Sequence, residues 1–295
     1  MFKINGLESH LKAHIRGQDH ILPRLSASLE RGEFGLAPEG RPKASFLFLG
    51  PTGVGKTETA LAFTQFIFDK KALFRFDMSE LQHEDGIKLF VGDESGQHGR
   101  LGETLLKHKT GTLLFDEIEK AHRKILDLLL QILSAAIVTT GTATTHDLSQ
   151  FYIVCTSNIG GLDVMRSHAL SFSSMERHVF SKLNLELRPE IVGRFSEKFV
   201  FKKLDYETQR EIAQMTLNRE LSRFALKGYH IQADGEVIEF LVREGIDKTL
   251  GARPMLHTVE RHVGNALRIQ MKNGQHPSGK LIVAPDRKSL ILLPA

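Results

Sequence analysis

Cysteine is almost absent from this sequence. Cys155 stands alone among 295 residues, so no intrachain disulfide can form, and its place in the apolar run FYIVC marks a small buried side chain. That usage fits a reducing compartment, and a cytoplasmic protein is expected. No apolar stretch approaches the roughly 20 residues that cross a bilayer; the longest candidate, residues 128–138, is interrupted by Gln131 and Ser134. The opening MFKINGLESH has no apolar signal core, so neither membrane insertion nor export is expected. A strong charge excess is missing too. The 39 basic residues against 35 acidic ones leave +4, which by itself calls for neither nucleic acid nor an anionic surface. Repeats and low-complexity segments are also absent, and with 41% hydrophobic and 25% charged residues the chain is able to bury a sizeable core.

What is present is an alternation. Five short segments are apolar on nearly every position: 45–49 (SFLFL), 73–76 (LFRF), 112–115 (TLLF), 151–155 (FYIVC) and 198–201 (KFVF). Continuous apolarity over so short a run predicts strands covered on both faces, as in a parallel sheet. Between them, residues 57–68 place Ala60, Leu61, Phe63, Thr64 and Ile67 at helical spacing, and residues 121–133 carry Ile125, Leu128, Leu129 and Ile132. This order predicts an α/β domain over residues 1–201, a parallel five-stranded sheet with flanking helices behind a lead-in helix. Beyond Phe201 the pattern changes. Residues 206–227, 234–244 and 252–272 read as amphipathic helices stopped by Gly228, Gly245 and Gly274, and short strands follow at 280–283 and 289–293 across Pro285 and Asp286. A smaller, mostly helical domain is therefore expected over residues 202–295.

The first strand runs straight into Gly50, Pro51, Thr52, Gly53, Val54, Gly55, Lys56, Thr57 and Glu58. Gly50 and Gly55 flank four residues and are followed by Lys-Thr, the phosphate-loop pattern. Its chemistry requires these types. Glycines let the backbone curl until its N–H groups and the next helix's amino end face phosphate oxygens, Lys56 adds charge for the β and γ phosphates, and Thr57 offers a hydroxyl to Mg2+. A second motif, LLFDEIEKAH at 113–122, ends a buried strand in Asp116 and Glu117, the place for a magnesium-associated carboxylate and a base that orients water. The fourth strand ends in Thr156, Ser157 and Asn158, polar groups at the edge of the same site. Arg188, Arg194 and Arg253 are candidate cations for charge developing on the transferred phosphoryl group, against the commoner role of an arginine in a surface ion pair. His10 and His14 lie four apart, but no Glu follows His10 as in HExxH and no cysteine cluster supports them, so no metal other than nucleotide-bound Mg2+ is expected.

In order, IRGQD (15–19), SFLFLGPTGVGKTE (45–58), FDMSE (76–80), LLFDEIEKAH, TSNIG (156–160), RPEIVGRF (188–195) and LGARP (250–254) span nearly the whole chain. Together they resemble an AAA+ ATPase, and more narrowly the carboxy-terminal ATPase module of Clp-type unfoldases and disaggregases. The resemblance implies that Lys56 and Thr57 belong to Walker A, Asp116 and Glu117 to Walker B, and Asn158 to sensor one. It implies that Arg194 is the arginine finger reaching a neighbouring subunit's nucleotide, that Arg253 is sensor two, and that Ile15, Gly17 and Gln18 border adenine. ATP and Mg2+ would be the cofactors, a homo-oligomeric ring, usually a hexamer, the assembly, and the helical last third the lid domain.

The chain departs from that family in three places. Walker A lies near the start, so a single ATPase module with a lead-in helix, without an adaptor-binding domain, is expected. The aromatic residue with which the family grips a threaded polypeptide is replaced: Gly96, Gln97, His98 and Gly99 occupy its loop, and side chains that hydrogen-bond stand where a broad apolar ring would be. Residues 167–178 (SHALSFSSMERH) contain no Ile/Leu-Gly-Phe/Leu tripeptide, so a Clp-type peptidase partner is not expected. Torsins, which are Clp-related, also lack the aromatic grip, but this chain keeps Arg194. The leading reading is a ring ATPase that remodels a protein partner. A nucleotide-switched assembly factor with one dedicated partner and no threading is the alternative. A nucleic-acid-directed AAA+ protein ranks third, since the basic residues have no interleaved aromatic platform.

Overall fold

The computed structural model describes residues 4–166, 171–247 and 249–294. The chain divides into two compact units, one of residues 1–51 and 55–203, the other of 52–54 and 204–295.

In the first unit α1 (Leu7–His14) and α2 (Leu22–Glu33) precede β1 (Ala44–Leu49). Then come α3 (Lys56–Ile67), β2 (Leu73–Asp77), α4 (Glu84–Val91), α5 (Gly99–Lys107) and β3 (Gly111–Asp116). The segment α6 (Arg123–Ala135) leads through a hairpin of β4 (Ile137–Thr139) and β5 (Thr145–Asp147) to β6 (Phe151–Ser157). The unit closes with α7 (Gly161–Arg166), α8 (Phe172–Glu186), α9 (Pro189–Val192) and β7 (Glu197–Val200). The five long strands form one sheet in the order β2-β3-β6-β1-β7, and every pairing in it is parallel. The five-stranded parallel sheet expected from the apolar runs is thus present. Its central strands β1, β3 and β6 are buried at every residue, which is why they read as continuous apolar runs and not as alternating ones. Residues 167–170 of the stretch that lacks the peptidase tripeptide lie outside the described residues, and from Phe172 on it belongs to α8.

Aromatic rings fill the layer between β1 and α3. Phe46 packs edge-on against Phe63 and stacks with Tyr152 at centroid distances of 6.1 and 6.4 Å. The buried Tyr152 hydroxyl has its single proton between two acceptors, Glu33 Oε1 at 2.8 Å and Leu29 O at 3.0 Å, and Lys43 pairs with the same carboxylate at 2.8 Å. Burial, and then the Glu33 charge, push the Tyr152 phenol far above its ordinary range, so it stays a donor. This network fastens α2 to the sheet.

In the second unit α10 (Tyr206–Ala225), β8 (Ile231–Ala233), α11 (Gly235–Gly245) and α12 (Met255–Lys272) are followed by β9 (Gly279–Val283) and β10 (Leu290–Pro294). Asp205 caps α10, accepting the Thr208 N–H at 2.8 Å. The three helices share a core built on Leu217, Leu241, Val259 and Val263. The closing strands pair antiparallel, and β8 adds to β9 in parallel, an addition that three residues of weak pattern do not announce. The last helix begins at Met255, not at residue 252: residues 252–254 form a turn, and Pro254 sits at the helix entrance, where its missing N–H costs nothing. Among the described residues no helix is long and apolar enough to cross a membrane.

Candidate nucleotide site

Parallel pairing sets the carboxyl ends of β1, β3 and β6 side by side, with Leu49 opposite Ser157 and Phe115 opposite Cys155. The polar residues that follow each strand therefore converge at the middle of one sheet edge, the usual place for a ligand in an open α/β sheet. From β1 the chain turns through Gly50 (φ 138°), Gly53 (φ 73°) and Gly55 (φ 102°), conformations closed to most side chains, and a Cβ on Gly50 would stand 2.8 Å from Phe201 O. Lys56 opens α3 and is only 8% exposed. Its ammonium donates to Gly50 O at 2.5 Å, Pro51 O at 2.8 Å and Asn158 Oδ1 at 2.9 Å. Burial lowers its pKa to about 8, against the opposing pull of Glu119, Asp116 and Glu117.

Asn158, one residue past β6, joins both sides of the site. Its Oδ1 accepts from Lys56, its Nδ2 donates to Glu117 Oε1 at 3.0 Å, and its backbone N–H donates to Glu119 Oε1 at 3.0 Å. Glu117 adopts φ 58°, a left-handed conformation rare outside glycine. Its other carboxylate oxygen receives the Lys120 ammonium at 2.5 Å. Behind it the Thr156 hydroxyl accepts the Glu117 N–H at 3.1 Å and donates to Asp116 Oδ1, while Asp116 Oδ2 pairs with Arg75 Nη2 at 2.5 Å. One threonine hydroxyl thus ties the Asp116 carboxylate to the Glu117 backbone.

The structure therefore brings together Lys56, Asp116, Glu117, Thr156 and Asn158 from three separate segments. Thr57 is half-buried in the first turn of α3 and Glu58 is exposed. Ile15 is buried, and Gly17 has φ 73°. Gln18, wholly buried, braces the chain leaving β7: its Nε2 donates to Lys202 O at 3.0 Å and its Oε1 accepts the Lys202 N–H at 2.9 Å. Arg194 follows α9, is exposed, and has no ion pair among the described residues, whereas Arg188 is held by Asp127 at 2.5 Å. Arg253 is an exposed turn residue of the second unit.

The loop of Gly96, Gln97, His98 and Gly99 joins α4 to α5. Gln97 is exposed, and its carbonyl accepts the Asp93 N–H at 3.0 Å. The loop locks to the β4–β5 hairpin: the Gly141 N–H donates to Val91 O at 2.9 Å, and His98 Nδ1 lies 3.4 Å from the Thr142 hydroxyl.

Three participants were not picked out from the sequence. Arg75 sits on the edge strand β2 at a position its apolar neighbours obscure, and Glu119 and Lys120 stand in the DEIEK run without a signal separating them from a solvated acidic turn. Glu119 Oε2 is buried with no hydrogen-bond partner among the described residues. A buried ammonium on a glycine loop, a hydroxyl in the first helical turn and a cluster of hard carboxylate oxygens fit a nucleoside triphosphate with Mg2+.

Fold and site together define a phosphate-loop nucleotide-binding protein built on a parallel sheet with a small second unit. The chain belongs to the family described as AAA domain (Cdc48 subfamily), whose model matches residues 41–198, and membership implies nucleotide binding. Residues 204–284 match the C-terminal, D2-small domain of ClpB protein. The chain is 33% identical to Chaperone protein ClpB 2 of Nostoc sp. over 304 aligned residues, covering 99% of this chain and 35% of that protein. It is 34% identical to Chaperone protein ClpB of Aquifex aeolicus, with 96% and 30% covered. Among solved structures, the S. cerevisiae Hsp104-ADP complex matches with TM-score 0.89 and 30% identity over 99% of this chain and 52% of that one. The S. cerevisiae Hsp104:casein complex in an extended conformation matches at 0.88 and 29%, with the same coverage. The chain thus spans about a third of the curated relatives' length and about half of the Hsp104 chain.

Proposed function

We propose that this chain is a Mg2+-dependent ATPase of the ClpB and Hsp104 type, working in a ring, a homohexamer by family analogy, to remodel a protein partner. The observation that carries the reading is the chain of contacts from Lys56 through Asn158 to Glu117, which ties a phosphate-facing cation to a carboxylate placed to act as base. In this reading Lys56, with the loop N–H groups from Pro51 to Glu58, binds the β and γ phosphates, and Ile15, Gly17 and Gln18 border the base. Thr57 and Asp116 hold Mg2+, which when bound neutralises phosphate charge. Glu117 takes the proton of an attacking water, and Asn158 fixes that carboxylate's orientation. Arg194, which has no ion pair among the described residues, reaches the adjacent subunit's nucleotide, and Arg253 senses nucleotide from the second domain, residues 202–295.

The relatives are named as chaperones, and one solved Hsp104 is bound to casein, which supports a polypeptide as substrate here. Gln97 and His98 would then meet it with hydrogen bonds in place of an aromatic grip, favouring a restricted set of partners. The test is Glu117→Gln. ATP binding is expected to persist while phosphate release slows by about 100-fold or more, as the loss of a general base requires. Undiminished turnover would remove Glu117 from its role.

A further inference from the structure

The second unit carries a groove that the nucleotide site does not use. A cavity of about 510 Å3 lies between the end of α10 and the second half of α12, within the range of small binding sites. Its floor is apolar. Phe224 and Leu267 are 9% and 3% exposed there, with Tyr229 beside them and Met271 at the margin. Leu226, 91% exposed, adds apolar surface close by. The rim consists of Lys227, Arg268 and Lys272, and no carboxylate lines the groove. None of these cations has an ion pair among the described residues. Of the acidic residues one turn before the groove, Glu220 is paired with Arg223, and the charge of Glu260 acts on that same arginine.

Gly264 forms part of the wall. It lies inside α12, where glycine weakens a helix relative to alanine, and a Cβ built on it meets nothing within 4 Å. No turn or close contact accounts for it, but the missing side chain keeps the groove open. Unpaired cations around an apolar floor complement an apolar side chain flanked by carboxylates. They do not suit a nucleic acid strand, which needs exposed ring faces in sequence; here the Phe224 ring is nearly covered.

We propose that this groove docks an acidic segment of a partner protein, with an apolar residue seated on Phe224, Tyr229 and Leu267 and its carboxylates meeting Lys227, Arg268 and Lys272. The proposal is independent of the ATPase reading, because every groove residue lies within the second unit.

The probe is a fluorescein-labelled peptide, Asp-Glu-Leu-Phe-Glu-Glu-Leu-Asp, and its counterpart with Asn and Gln for the acids. Both are titrated with the full chain by anisotropy, without nucleotide. The acidic peptide is expected to bind at least about tenfold tighter than the amide one. Gly264→Leu, which fills the groove and favours the helix, should abolish binding while thermal unfolding and nucleotide affinity stay at wild-type levels or above. Lys227→Glu with Arg268→Glu should weaken the acidic peptide by about tenfold or more, a second check that leaves the groove shape intact. Wild-type binding by Gly264→Leu, equal binding of the two peptides, or displacement by a short oligouridylate would overturn the proposal. So would a change of particle mass in Gly264→Leu with peptide binding intact, which would make a second copy the occupant.

Discussion

The position of Asn158 needs both an acceptor and a donor on one side chain. Its amide accepts from Lys56 and donates to Glu117 at once, so aspartate would lose the donor and leucine both roles. Asn158→Ala is expected to lower turnover about 10- to 100-fold while shifting ATP affinity only a fewfold, read by separate rate and binding measurements. Lys56 supplies a pH signature. Burial lowers its pKa to about 8, against about 10.4 for an unburied lysine. Between those values the folded chain binds fewer protons than the unfolded one, so this group's contribution to stability rises with pH across that window. Bound polyphosphate favours the charged form and raises the pKa, so ATP binding should take up protons at pH 8.5 and hardly any at pH 6.5. Calorimetry in buffers of different ionisation heat measures this. Equal heats at pH 8.5 would mean that Lys56 is already charged.

At the scale of elements, the seam between α2 and the sheet shows packing overriding local propensity. Gly32 lies in the last turn of α2, and a Cβ there would meet the Tyr152 hydroxyl at 2.9 Å and Lys43 O at 3.0 Å. Helix propensity alone favours Gly32→Ala by up to about 1 kcal/mol. Both obstacles are fixed, one by its hydrogen bonds to Glu33 and Leu29, the other by the backbone. The substitution is therefore expected to destabilise by about 1–3 kcal/mol, as overpacking does, measured by urea unfolding. The loop at Gly92 and Gly99 obeys the same rule: a Cβ on Gly92 would lie 1.9 Å from Gln97 O, so backbone rests on backbone and the segment bearing Gln97 and His98 is tightly shaped.

For the whole molecule, the proposed ring reading turns on an exposed residue, Arg194. Arg194 makes no ion pair among the described residues, so on the proposed ring reading Arg194→Ala should leave folding and ATP binding unchanged while hydrolysis falls by about 1,000-fold, the range for an arginine finger. Mixing it with Lys56→Ala subunits gives a sharper test. If sites are shared, each supplies what the other lacks and turnover partly returns; no recovery would place Arg194 outside the active site.

The sequence by itself determined the parallel sheet, since strands buried on both faces must be continuously apolar, and it marked the candidate phosphate loop, since glycines followed by Lys-Thr between a strand and a helix are a pattern that wraps phosphate. Asp116 and Glu117 were legible because they directly follow the apolar run TLLF, Asn158 because it closes the polar TSN after FYIVC, and Lys56 because it completes the glycine loop that follows SFLFL. Only the tertiary structure decided that Arg75 meets Asp116, that Glu119 holds the Asn158 backbone and that Thr156 bridges the Asp116 carboxylate and the Glu117 N–H. These contacts join residues up to 41 positions apart, so they depend on which strands become neighbours and have no local periodicity to betray them. The same holds for Gly264, an unremarked helix residue in the chain and the open wall of a groove once α10 and α12 are packed.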